Sequence, residues 1–155
     1  MLEETVGKLL MEKQLTIACA ESCTGGLLTS CLTDVEGSSA YVMGSVVSYT
    51  NEVKESLVGV KHETLVTHGA VSEATAREMA EGIRHVIGTA LGVGITGIAG
   101  PGGGTETKPV GLVYIAVAGD KGTTVKKNIF HGRRMENKRS SVEKALKMLH
   151  AYLDQ

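Results

Sequence analysis

Helical and extended patterns alternate along this chain, which predicts an α/β fold with helices on both sides of a mixed sheet. Two further observations shape that prediction. Val110–Ala118 and Thr123–Phe130 flank Gly119-Asp120-Lys121-Gly122, so the sheet carries an antiparallel hairpin late in the chain. The 155 residues make one domain's worth of chain, and no linker, repeat or low-complexity tract divides them.

Each element follows from its own pattern. Leu2, Val6, Leu9 and Leu10 form an apolar stripe at helical spacing. Thr16–Ala20 is an apolar strand, followed by a helix predicted over Thr24–Thr33. The turn Glu36-Gly37-Ser38-Ser39 leads to a strand rich in Val and Tyr, Tyr41–Thr50, and then to a short helix, Asn51–Val58. Ser72 is placed to cap a longer helix reaching Ala90, with Glu73 near its positive end. Leu91–Ile95 is a buried strand that enters a glycine-rich loop, Gly97–Lys108. After the hairpin, Val142, Ala145, Leu146, Leu149 and Leu153 mark one face of a final helix.

Composition excludes several function classes. A net charge of -1 gives no basic face for general nucleic-acid binding, and five aromatics (four Tyr, one Phe) give no stacking platform. No apolar run is long enough to span a bilayer, and Glu3, Glu4 and Lys8 interrupt any leader-like start. The three cysteines, Cys19, Cys23 and Cys31, form no CxxC pair and cannot all be bridged, which predicts a reduced, cytoplasmic setting. Cys19, Cys23, His62, His68 and His85 share no zinc spacing, so no metal site is expected. Gly92-Val93-Gly94-Ile95-Thr96-Gly97 matches a dinucleotide fingerprint only as a string. The fingerprint needs a helix opening at its glycines, whereas this run lies in a strand and continues into more glycine.

Three regions carry chemistry. In Ala20-Glu21-Ser22-Cys23-Thr24-Gly25-Gly26, small polar side chains meet the junction of a strand and a helix, where a hydroxyl nucleophile can sit beside unpaired backbone N–H groups. A lone serine before a helix is more often a cap than a catalyst, so the site needs a base. Tyr49-Thr50-Asn51-Glu52-Val53-Lys54 supplies a candidate. With Asn51 as N-cap, Lys54 falls in the first helical turn, where the dipole and partial burial both favour the neutral amine. Serine with a lysine base is a known variant of the serine–histidine arrangement. Finally, Lys126, Lys127, Arg133, Arg134, Lys138 and Arg139 fall within fourteen residues, several of them at the start of the last helix, which suggests an anion to receive them.

These regions resemble one family, the C-terminal domain of the competence/damage-inducible protein CinA. The resemblance rests on A-E-S-C-T-G-G at 20–26, G-S-S-A-Y at 37–41, S-Y-T-N-E-V-K at 48–54, H-G-A-V-S at 68–72 and G-I-T-G-I-A-G-P-G-G-G-T-E-T-K-P-V-G at 94–111. It implies a three-layer α/β/α domain with a mixed sheet. It also implies the activity of the stand-alone members: hydrolysis of the carboxamide of nicotinamide mononucleotide (NMN) to nicotinic acid mononucleotide and ammonia, without a cofactor. Carried across by motif, the nucleophile falls on Ser22, the base on Lys54 and a nearby tyrosine on Tyr49. The arginine of the family's Gly-Asp-Arg falls on Arg134, although its Asp is Arg133 here. Substrate contacts are expected from Cys23, Thr24 and Gly25 around the oxyanion, from Gly97 and Gly100 of the glycine-rich loop with Thr96 and Thr105, and from Arg134 and Arg139 at a phosphate. The implied partner is a small nucleotide, with a homo-oligomer as the expected assembly. Two rival expectations are a non-catalytic interaction module linked to competence or DNA damage, and an amidase acting on another small nucleotide amide.

Overall fold

Strand residues alternate in size as well as direction, and that sets the layers. The computed structural model describes residues 1–155. Its elements run α1 (Leu2–Lys13), β1 (Ile17–Glu21), α2 (Leu27–Thr33), β2 (Val42–Val47), α3 (Asn51–Val53), α4 (His62–His68), α5 (Glu73–Ile87), β3 (Leu91–Gly97), β4 (Leu112–Gly119), β5 (Gly122–Ile129) and α6 (Arg134–Leu153). A 3₁₀ turn, Ser38–Ala40, precedes β2, and a π-turn, Lys54–Val58, extends α3.

The larger side chains Ile17, Cys19, Leu91, Val93, Ile95, Val113, Ile115 and Val117 share one sheet face. They pack beneath α1, α2 and α6 through Val6, Leu10, Leu28, Leu32, Val142, Ala145 and Leu149. The other face carries Ala18, Ala20, Ala116 and Ala118, which lets α5 lie close through Ala76, Met79, Ala80 and Ile83. Gly92 and Gly94 belong to this close approach. A Cβ on Gly94 would meet the Ala76 carbonyl oxygen at 2.5 Å, and one on Gly92 would strike the Ala80 carbonyl. The fingerprint-like string is therefore a packing seam between β3 and α5.

The five strands are ordered β2-β1-β3-β4-β5. β1 pairs parallel with both β2 and β3 (Cys19 opposite Ser45 and Val93), and the β3–β4 and β4–β5 pairs are antiparallel. The chain leaves β1 for one neighbour and later returns on its other side. That reversal opens a crevice at the carboxyl ends of the parallel strands, where α/β sheets bind ligands. This is the expected three-layer mixed-sheet fold. No helix is long and apolar enough to cross a membrane.

Several boundaries differ from expectation for local reasons. α2 starts at Leu27 rather than Thr24, because Gly25 and Gly26 take positive φ (62° and 101°) that a helix does not permit. β2 stops at Val47, and α5 stops at Ile87 because Gly88 closes it in the left-handed conformation. α4 lies in a segment where the sequence pattern predicted no element. Thr50, not Asn51, caps α3, its side chain accepting from the Val53 amide at 3.3 Å. Ser72 does cap α5, accepting from the Thr75 amide at 3.1 Å.

Candidate active site

The end of β1 delivers Ser22 to the crevice, and the end of β2 turns into the helix that carries Lys54. Ser22 is held where it is by its amide, which donates to the Ile95 carbonyl of β3 at 3.0 Å. Lys54 reaches in from across the crevice and is 1% exposed. Its Nζ lies 3.0 Å from Ser22 Oγ and donates to the Ser48 carbonyl at 2.7 Å. The sequence pattern did not single out Ser48, whose role rests on a backbone oxygen that any residue would carry.

Burial lowers the Lys54 pKa from its ordinary 10.5, because an ammonium loses its hydration there. The Cys23 thiol is the group whose ionisation would oppose this, but burial pushes it up to about 12. At neutral pH Cys23 is thus uncharged, and Lys54 has no adjacent anion to hold its proton. Once deprotonated, the Lys54 amine can donate to the Ser48 carbonyl and accept from the Ser22 hydroxyl, a geometry that suits a nucleophile and a base.

The loop after Ser22 leaves donors free. The Gly25 amide is taken by the Ser22 carbonyl at 3.0 Å, whereas no other residue accepts from the Cys23 or Thr24 amides. The α2 terminus does not face the nucleophile with open amides. Leu28 and Thr29 of its first turn donate to the Glu21 carboxylate, at 2.9 Å each. The expectation of donors from a helix end at Thr24 is corrected accordingly: the available N–H groups belong to the loop ahead of the helix.

A cleft of about 270 Å³ opens over the pair. Ser22, Cys23, Tyr49, Lys54, Thr96, Gly97, Gly100 and Arg134 line it, together with Asn51, Ala70 and Val71, which were not among the expected substrate contacts. Thr96 donates its hydroxyl to the Ala70 carbonyl at 2.7 Å, fixing the β3 end against the loop before α5. Tyr49 is 59% exposed at the rim, and its hydroxyl accepts from Arg134 at 3.1 Å rather than meeting Ser22 or Lys54. Arg134 also donates to the Gly100 carbonyl at 2.8 Å, so its guanidinium bridges two walls of the cleft.

Four residues expected at the substrate lie outside the cleft lining: Thr24, whose buried hydroxyl donates to Glu21, Gly25, whose amide donates to the Ser22 carbonyl, Thr105 and Arg139. Thr105 is exposed in a turn closed with Lys108, outside the cleft lining. Arg139 lines a separate groove of about 350 Å³ between α1, α2 and α6, with Cys31 and Leu146. Helical pitch explains the division, since Arg139 is five residues beyond Arg134 and points off its face. Lys138, four residues on, stays on that face: its Nζ lies 3.7 Å from where a Cβ on Gly25 would be.

The profile of the CinA C-terminal domain family matches residues 1–153. The chain belongs to that family. A relative from Desulforudis audaxviator bearing the competence-damage inducible name is 48% identical over 152 residues, covering 98% of this chain and 37% of the relative. One from Clostridioides difficile is 55% identical over 133 residues, covering 86% and 32%. The chain thus spans about a third of the length of these relatives. Solved structures of the family match almost end to end. The competence/damage inducible protein CihA from Agrobacterium tumefaciens superposes with a TM-score of 0.96 at 42% identity, covering 99% of this chain and 94% of that one. The competence damage-inducible protein A (ComA) from Klebsiella pneumoniae gives 0.96 at 33%, covering 99% and 96%.

Proposed function

We propose that this CinA-family chain is an amidohydrolase that cleaves the carboxamide of nicotinamide mononucleotide by Ser-Lys chemistry. The observation that carries the reading is a buried lysine amine 3.0 Å from a serine hydroxyl, at one end of a cleft that also holds an arginine. Lys54 takes the Ser22 proton as Oγ bonds to the carboxamide carbon, and the carbonyl electrons move onto oxygen. The Cys23 and Thr24 amides receive that oxyanion. Collapse breaks the C–N bond, and Lys54 returns its proton so that ammonia leaves. Water, deprotonated by Lys54, then opens the acyl-enzyme to nicotinic acid mononucleotide and restores Ser22. Lys54 serves as acid as well as base because the Tyr49 hydroxyl stands at the exposed rim and meets neither Ser22 nor Lys54. Arg134, with two fixed bonds and further N–H groups to offer, anchors the 5′-phosphate, and the glycine loop admits the nucleotide to its backbone.

The test is ammonia release from NMN by the purified protein and its Ser22→Ala variant. Release by the wild type that falls to background in the variant supports the reading. Equal release by both, or none from folded wild type, overturns it.

A further inference from the structure

A carboxylate without access to solvent sits one residue before the nucleophile. Glu21 closes β1 and is 0% exposed, and no cation pairs with it. Four donors reach it instead. The Thr24 hydroxyl (2.7 Å) and the Leu28 amide (2.9 Å) donate to Oε1, and the Thr29 amide (2.9 Å) and hydroxyl (2.6 Å) donate to Oε2. The Ser45 hydroxyl lies 2.7 Å from that of Thr29, which ties the cluster to β2.

An exposed Ser or Asp at the N-cap would satisfy the end of α2 without burying a charge. The N-cap is Gly26, which offers no side chain, and the cap comes from seven residues before Leu28. The route matters because it encloses the loop Ser22–Gly26. Glu21 begins the loop through its own backbone, fixes its middle through Thr24 and ends it through α2. The Cys23 and Thr24 amides lie inside this closure and have no acceptor in any other residue.

We infer that Glu21 is a positioning residue whose buried carboxylate, through Thr24 and α2, holds Ser22 and the Cys23 and Thr24 amides in the arrangement that acyl transfer requires. The inference rests on the Ser22–Lys54 reading. Its test uses a probe independent of substrate identity: a fluorophosphonate, with the adduct followed by intact mass. Ser22 Oγ attacks phosphorus, fluoride leaves, Lys54 takes the proton, and the phosphoryl oxygen occupies the oxyanion position.

Glu21→Gln keeps the size of the side chain but turns an NH2 group toward donors, and Thr24→Val removes one bond while keeping the cap of α2. Modification of Ser22 is expected to slow on the order of 10²-fold in Glu21→Gln and about tenfold in Thr24→Val. KM for NMN stays within about twofold in both, because only the reacting end of the site is disturbed. A merely structural role would lower the melting temperature of Thr24→Val and leave its modification rate alone. Rates within about threefold of wild type in the folded variants overturn this inference and leave the nucleophile reading intact. If Glu21→Gln does not fold, Thr24→Val decides by the same criterion. No adduct on Ser22 in the wild-type protein overturns both.

Discussion

Burial decides the protonation of Lys54, and the same burial writes itself into stability. The unfolded chain holds this proton up to the ordinary 10.5, while the folded chain releases it at lower pH. Between those two values the unfolded state binds more protons, so stability rises with pH across that window. Lys54→Met fills the space without titrating. The unfolding free energy of the wild type, measured by urea titration, is expected to climb relative to Lys54→Met as pH rises toward 10.5. Turnover should climb through the pH at which the folded chain releases this proton, as the amine is freed to accept from Ser22. A constant difference between the two proteins would mean that Lys54 keeps its ordinary pKa and cannot serve as base at neutral pH. Glu21 shows why part of this site was hard to read from sequence. A carboxylate at the end of an apolar strand, before a helix lacking a polar N-cap, is a legible sign of a buried acceptor. What it binds is set seven and eight residues on, across a loop whose path no local pattern specifies.

The seam between β3 and α5 shows at the level of elements how much the sequence disclosed. Periodicity placed all five strands, and the apolar stripe of α6 came out buried at Val142, Ala145, Leu146, Leu149 and Leu153. Periodicity does not say how near two layers come, so Gly92-Val93-Gly94 could be set aside as a cofactor motif but not assigned its packing role. α4 was invisible because it is a single short helix without a polar cap, Lys61 standing at its N-cap. Gly94→Ala tests the seam. The added Cβ meets the Ala76 carbonyl oxygen at 2.5 Å, and backbone cannot step aside as a flexible side chain would. A loss of about 1–3 kcal/mol in unfolding free energy is expected, read by urea denaturation. A neutral result would show that α5 can shift on the sheet.

Across the whole molecule, the cleft assembles segments far apart in the chain: Ser22 from just after β1, Lys54 from after β2, Gly97 and Gly100 from the end of β3 and the loop beyond it, and Arg134 from the start of α6. The Ser22–Lys54 pair and the Arg134 guanidinium thus reach one cleft from different parts of the fold. That separation should appear in kinetics. Arg134→Ala is expected to raise KM for NMN about tenfold or more while kcat changes little, since a remote charge contact binds ground state and transition state alike. The variant should also lose the wild type's preference for the mononucleotide over the riboside lacking the phosphate. An unchanged KM with a collapsed kcat would place Arg134 at the chemistry instead. The basic cluster shows the limit of reading a site from neighbours in sequence. Helical pitch sends Arg134 and Lys138 to one side and Arg139 to another, and the pitch could be applied only once the start of α6 was known.

The π-turn at Lys54–Val58 has a consequence of its own. The Lys54 carbonyl accepts from the Gly59 amide five residues on, and from Val60 at 3.0 Å, so this turn holds one residue more than an ordinary helical turn. That supernumerary residue makes the site sensitive to chain length as well as to side-chain identity. Removing any one residue between Lys54 and Val58 would restore regular pitch and rotate the downstream chain by about 100° relative to the turn before it. Either Lys54 would swing off Ser22, or Val58 would leave the core it shares with Ala20 and Met79. In this chain the number of residues in the turn, and not only their identity, sets where Lys54 stands relative to Ser22.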